Sequence, residues 1–307
     1  MDNKAFLTID SGGSKTSLTL YTCDGSFIKN GKARGFGLTE DCGCVLEEAR
    51  QILSDFCVGH EISYAICNLG GKNKNQIEKT LKSAFPNAST MVFRESEGTV
   101  GLELCRIYSA EVTLMAGTGA IAIAPAGNKT VISGGWGANI SDRGSGYQLG
   151  LDAVRLALEE LDGTGELSPL TKALTGITEP PKAMDAREYC DFRDNVRHSL
   201  SPFDRAHIAS FTRIVYDAAS LGDKRAVELY RQAGLDLAEL VITALRKAET
   251  DLRCAVVNGG MVNGKDFWQE SFEEKLKNEY GTVKVNYLTD GIDKAMCRMA
   301  EKMIKGE

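Results

Sequence analysis

No apolar run in the sequence reaches the ~18 residues that a membrane helix needs. The longest one, Val112 to Ala126, is broken by Gly117-Thr118-Gly119 and Pro125. The start, Met1-Asp2-Asn3-Lys4, has no basic stretch leading into an apolar segment, so the chain is expected to be cytoplasmic. Blocks of positive charge are also missing. The 36 Lys+Arg are outnumbered by 42 Asp+Glu, for a formal charge of -6. This leaves no electrostatic footprint for nucleic acid or anionic lipid, and small molecules are the expected partners. Histidine is scarce, and His60, His198 and His207 are too scattered to form a ligand pair on one helical face. Nine cysteines are present, but the number is odd and Cys42-Gly43-Cys44 is the one close pair. A disulfide ladder and paired CxxC zinc knuckles are therefore both excluded. Cys67, Cys105 and Cys254 lie in apolar segments and are expected to be core residues.

What is present is a chain of 307 residues, 43% of them hydrophobic, enough for two domains with a sizeable core. Periodicity predicts strands at Ala5 to Asp10, Ser17 to Tyr21 and Ser26 to Lys29, then a helix from Glu40 to Cys57. A strand at Ile62 to Cys67, a helix at Asn73 to Phe85, a strand at Thr90 to Phe93 and a helix from Glu95 to Ile107 follow. The second half repeats the order. Strands are predicted at Val112 to Ala116, Ala120 to Ala124 and Lys129 to Ile132, and a helix after Gly144. A strand at Arg253 to Asn258, a helix at Lys265 to Lys277, a strand at Thr282 to Tyr287 and a helix from Asp290 complete the repeat.

The expected fold is thus α/β, with two duplicated lobes facing across a cleft: residues 1–110, and 111–289 with a helical insert at about 163–250. The insert's charged faces and helix caps suggest no chemistry. Ligands in such folds favour strand ends next to glycine-rich turns.

Two such turns fall at equivalent places in the repeat. The first is Asp10-Ser11-Gly12-Gly13-Ser14-Lys15-Thr16. Its glycines let backbone approach a phosphate, Ser14, Lys15 and Thr16 carry groups that can bind phosphate oxygens, and Asp10 could hold Mg²⁺ through water. It is not a Walker A loop, because GxxxxGK[ST] is absent and a strand follows it. The second turn is Gly117-Thr118-Gly119. Beyond it come Gly134-Gly135-Trp136-Gly137, where Trp136 could be a ligand platform or a core plug, then Asp142-Arg143-Gly144-Ser145-Gly146-Tyr147 and, after a later strand, Asn258-Gly259-Gly260.

Together, in this order and over nearly the whole chain, these segments resemble the BadF/BadG/BcrA/BcrD ATPase family, and within it the N-acetylglucosamine kinase branch. The resemblance implies the ribonuclease H-like, actin-like ATPase fold, with a last helix, 290–307, returning to the first lobe. It also implies a kinase that moves the γ-phosphate of ATP, with Mg²⁺, to an amino sugar. ATP would be held by Gly12, Gly13, Ser14, Lys15, Thr16, Gly117, Thr118, Gly119, Gly259 and Gly260. Sugar would be held by Glu95, Thr118, Gly135, Trp136, Asp142 and Ser145. Glu95 and Asp10 would be catalytic, Glu95 as the base, with Asp142 the second candidate.

The sequence departs from the branch on the sugar side. Gly35-Phe36-Gly37-Leu38-Thr39 lacks the usual Asn, Glu95 replaces Asp, Ala120 replaces Ser, and Arg143 replaces Glu. ATP use is therefore the firmer expectation, and N-acetylmuramic acid is an acceptor option beside N-acetylglucosamine. Two alternatives remain open: an iron-sulfur activator of 2-hydroxyacyl-CoA dehydratases, and an inactive sugar-binding sensor. Oligomeric state is also open, a homodimer included.

Overall fold

The computed structural model describes residues 3–12, 15–36, 43–71, 73–137, 140–179 and 182–306, with backbone alone for 43–46. The first sheet contains β1 (Lys4–Ser11), β2 (Lys15–Thr22), β3 (Phe27–Arg34), β4 (Glu61–Leu69) and β5 (Ser89–Arg94) in the order β3-β2-β1-β4-β5. β1 runs antiparallel to β2 and parallel to β4, so it is central and buried on both faces. That burial explains its nearly unbroken apolar run. Ala5, Leu7 and Ile9 face a core shared with Ala49 and Leu53 of α1 (Gly43–Phe56) and with Ile77 and Leu81 of α2 (Lys74–Ala84). β3 continues well past Lys29. Asn30 and Gly31 belong to the strand, where Gly31 leaves room for the Phe56 ring, 2.8 Å from where a Cβ would stand.

α3 (Thr99–Tyr108) and the last helix, α11 (Gly291–Lys305), pack together, and α11 also contacts β1 and β4. Glu103 on α3 is 2% exposed and pairs with Lys302 at 2.7 Å, Arg106 at 2.9 Å and Arg298 at 3.4 Å. Burial alone would raise its pKa, but hydrogen bonds from Lys302 and Arg106 outweigh that and hold it low.

The second sheet repeats the arrangement. β6 (Val112–Ala116), β7 (Ala120–Ala126), β8 (Lys129–Gly134), β9 (Cys254–Asn258) and β10 (Lys284–Leu288) lie in the order β10-β9-β6-β7-β8. Every residue of β6 and β9 is buried. α4 (Gly146–Leu161) follows β8, and the insert then forms α5 (Pro169–Thr175), α6 (Ala186–Ser199), α7 (Arg205–Ser210), α8 (Thr212–Ser220) and α9 (Lys224–Ala248). The helix expected at Lys265 to Lys277 is two elements, a 3-10 segment over Gly260–Phe267 and α10 (Gln269–Tyr280).

The chain forms two compact units. The first takes Met1–Thr113, Ile123–Ile132 and Asp290–Glu307, and the second takes Leu114–Ala122 and Ser133–Thr289. Among the described residues no helix is long and apolar enough to cross a membrane. Cys57, Cys67, Cys105 and Cys254 are buried, and burial pushes the Cys57 thiol up to about 12.

Candidate active site

In the first unit the candidate groups gather at the carboxyl ends of β1, β4 and β5. Asp10 lies opposite Ser17 on β2 and beside Asn68 on β4. Asn68 Nδ2 donates to Asp10 Oδ1 at 3.0 Å. Burial pushes the Asp10 carboxyl up to about 6 against that hydrogen bond, with the Asp293 charge pushing the same way and Lys15 opposing it. Asn68 is 2% exposed, and its Oδ1 is buried without a partner. A carboxylate and an orphaned amide oxygen form an oxygen-only donor set, which fits a hard, hydrated cation such as Mg²⁺.

The hairpin after Asp10 is closed by Gly12 N donating to Lys15 O at 2.9 Å. Thr16, expected to bind phosphate, is fully buried, and its hydroxyl donates to Arg34 O at 2.7 Å. Ser11 Oγ and Thr16 Oγ1 are 2.9 Å apart, and Ser11 Oγ accepts from Phe36 N. Thr16 therefore fixes the hairpin to β3 and is not a phosphate ligand. Gly12 and Lys15 stay on the open side, while Gly13, Ser14 and Gly37-Leu38-Thr39 lie outside the described residues.

Glu95 opens a 3-10 turn directly after β5. A Cβ on Gly70, one residue past β4, would stand 3.3 Å from both Glu95 Oε2 and Gly12 Cα. Gly70 N also donates to Ser11 O at 2.7 Å. Glycine at this position is what lets the Glu95 carboxylate approach the backbone of the first glycine turn. Sequence reasoning missed Asn68 and Gly70. Their signal was available, since Asn68-Leu69-Gly70-Gly71 ends β4 much as Asn258-Gly259-Gly260 ends β9.

The second unit contains a cavity of about 650 Å³ lined by Gly117, Thr118, Gly146, Gly260, Met261, Asn263 and Gly264. Insert residues Ala209, Thr212, Arg213, Tyr216 and Tyr230 complete the lining, which corrects the reading of the insert as chemically silent. A Cβ on Gly117 or Gly260 would meet nothing within 4 Å, so protein packing does not require glycine there. Gly259 does not line the cavity. Its φ is +125°, and a Cβ there would collide with Ala116 O, so glycine lets the chain after β9 pass close to β6. Carbonyls of the second hairpin accept from the start of α4, Gly146 N to Gly117 O at 2.8 Å and Tyr147 N to Thr118 O at 3.2 Å. Ser145, expected at the sugar, is buried, and its Oγ accepts from Gln148 N as the N-cap of α4.

Gly119 also lies outside the cavity lining. A Cβ there would be 2.5 Å from Arg205 Nη2 and 3.0 Å from Asp142 Oδ2. Asp142 is 2% exposed, accepting from Arg205 Nη2 at 3.0 Å and from Gly137 N at 3.2 Å. Burial raises its pKa, opposed by the Arg205 charge and the Gly137 N–H. Trp136 is 71% exposed and so is no core plug, while Gly135 N donates to Ala120 O at 2.9 Å. Arg143 Nη2 donates to Asp236 Oδ1 at 2.6 Å.

A family model described as the BadF/BadG/BcrA/BcrD ATPase family matches residues 7–294. The N-acetylmuramic acid/N-acetylglucosamine kinase of Clostridium acetobutylicum is 26% identical over 300 residues, covering 92% of this chain and 93% of its own. The N-acetyl-D-glucosamine kinase of Dictyostelium discoideum is 23% identical over 314 residues, covering 93% and 94%. Among solved structures, a candidate N-acetylglucosamine kinase from Chromobacterium violaceum has the same fold, with a TM-score of 0.70 at 20% identity over 97% of this chain and 98% of its own. With the duplicated sheets and the two glycine hairpins in place, the chain belongs to the BadF/BadG/BcrA/BcrD ATPase family.

Proposed function

We propose that the protein is a kinase that transfers the γ-phosphate of ATP to a hydroxyl of an amino sugar of the N-acetylglucosamine or N-acetylmuramic acid type. The observation that carries this reading is the Glu95 carboxylate beside the glycine turn that follows Asp10, both at the edge of Gly70. Phosphoryl transfer to an alcohol asks the protein for positioning, charge neutralisation and a carboxylate that takes the hydroxyl proton. Glu95 takes that proton, and Gly12 and Lys15 face the phosphates. Asp142 is not the base, because its two oxygens are held by Arg205 and Gly137. Asp10 and Asn68 Oδ1 would hold hydrated Mg²⁺, which neutralises charge on the transferring phosphate. The second unit's cavity takes the nucleotide, with Gly117 and Gly260 leaving it room; its volume lies in the usual range for small-molecule sites.

The names of the two curated relatives support an amino sugar as acceptor. A coupled assay of ADP release across N-acetylglucosamine, N-acetylmuramic acid, glucosamine and glucose tests the reading. Mg²⁺-dependent stimulation by an N-acetylated amino sugar is expected, with slow hydrolysis in its absence. Lack of stimulation by any of the four would overturn it.

A further inference from the structure

We propose that the cavity of the second unit reads its nucleotide as a purine and not as adenine in particular, with Tyr216 as the stacking face, so that guanine nucleotides bind there beside adenine nucleotides; this rests on the assignment of that cavity to the nucleotide. The insert supplies the wall. Tyr216 in α8 and Arg213 one turn before it share a helix face, and both line the cavity. Tyr216 is half-buried, and its ring meets that of Phe267 edge to face, with centroids 5.6 Å apart. Phe267 in turn lies 5.6 Å from the ring of Tyr230, which is 3% exposed and whose hydroxyl donates to Thr212 O at 3.4 Å. Tyr230 is thus fixed in the core, and Phe267 passes that fixity to Tyr216. A flat ring held by its neighbours on the wall of a nucleotide cavity is a stacking platform, and a two-ring base covers more of it than a one-ring base.

Telling adenine from guanine needs groups of fixed polarity, because adenine presents the N6 donor where guanine presents the O6 acceptor. The Thr212 and Tyr230 hydroxyl protons are already committed, to Ala209 O at 2.9 Å and to Thr212 O. Thr118, Tyr216 and Asn263 also line the cavity, and their side chains make no hydrogen bond among the described residues. Each of these can donate or accept, since a hydroxyl rotates and an unpinned amide flips. Arg213 only donates. Its Nε is held by Asp217 at 3.2 Å, and its remaining donors suit N7, which both purines carry. Among the described residues no carboxylate lines the cavity to accept from guanine N1–H and N2–H. A site that rejects the wrong partner by about 10⁴-fold or more does so by leaving its own pinned polar groups unpaired, and these side chains are not pinned.

Titration calorimetry of the wild type, Tyr216→Ala and Tyr216→Phe with ADP, GDP, CDP and UDP in Mg²⁺ reads the base without any acceptor sugar, and Tm is recorded for each variant. In the wild type ADP and GDP are expected to bind within about 10-fold of each other, and CDP and UDP at least about 10-fold more weakly. Y216A should weaken both purine nucleotides by about 10- to 100-fold and close the gap to the pyrimidines, whereas Y216F keeps the ring and so the purine preference. ADP binding more than about 100-fold tighter than GDP would overturn the inference, as would CDP binding as tightly as ADP. Equal loss of all four nucleotides in Y216A would assign Tyr216 a structural role and overturn it too. No binding of any nucleotide would overturn both the inference and the cavity's assignment. Purine-selective binding without phosphorylation of N-acetylglucosamine or N-acetylmuramic acid from ATP or GTP would support the inference and remove the kinase reading alone.

Discussion

The two units share a strand order, yet their glycine hairpins do different work. In the first unit the hairpin hydroxyls of Ser11 and Thr16 are buried in bonds to one another and to Arg34, and the groups proposed to react are carboxylates. Asp10 on β1 and Glu95 after β5 stand at strand ends on either side of β4. In the second unit the equivalent strand end is Ala116-Gly117, without a carboxylate, and Gly117 opens onto a cavity. The repeated backbone therefore holds charge in one copy and space in the other. Duplication supplies two similar ends of a sheet, and in the proposed reading side chains at a few positions make one end reactive and the other a binding site.

If this division is right, substitutions in the first unit act on turnover and substitutions in the second act on nucleotide affinity. The largest effect is expected from Glu95→Gln, which should lower kcat by about 10²- to 10⁴-fold while sugar affinity stays within a few-fold. Steady-state kinetics together with sugar titration would check it, and near-normal turnover would remove Glu95 as the base. Next comes Gly260→Leu, which fills open space and should raise the KM for ATP by about 10- to 100-fold, with kcat at saturating ATP less affected. An unchanged KM would place the nucleotide elsewhere.

Asp10 gives a stability signature. Its carboxyl is raised from 3.8 to about 6, so between those values the folded chain binds more protons than the unfolded chain. Stability should then fall by about 3 kcal/mol as pH rises through that window in the absence of nucleotide and Mg²⁺. Asp10→Asn should flatten the Tm-against-pH curve there, raise Tm above pH 6 and abolish turnover. The smallest effect is expected from Glu103→Gln, which weakens the ion pairs joining α3 to α11. A loss of about 1–2 kcal/mol in a denaturant titration is expected, because the partner cations are partly exposed and regain water, and both KM values should stay unchanged.

Most of the architecture was legible from hydrophobic period, because both sheets have central strands buried on both faces. Val112–Ala116 reads directly as such a strand. Errors arose at element boundaries. The strand expected to end at Lys29 runs on through Asn30 and Gly31 to Arg34, and the helix expected from Lys265 begins at Gln269, after a 3-10 segment over Gly260–Phe267. The turn carrying Asp10 and the position of Glu95 were visible in the chain. Thr16 and Ser145 were not resolvable as structural residues, because a hydroxyl beside glycine looks the same whether it faces a ligand or caps a helix. Arg205 follows the N-cap Asp204 and reads as an ordinary helix-start charge. Its partner Asp142 is 63 residues away, and only the fold brings them together.

The central claim is that the γ-phosphate moves to the sugar and not to water. A single-turnover experiment with γ-labelled ATP, Mg²⁺ and excess enzyme, with and without N-acetylglucosamine or N-acetylmuramic acid, follows the label directly. The account predicts that with sugar the label appears in a sugar phosphate, and that without sugar it stays largely in ATP. Label released as inorganic phosphate at the same rate whether or not sugar is present would contradict it.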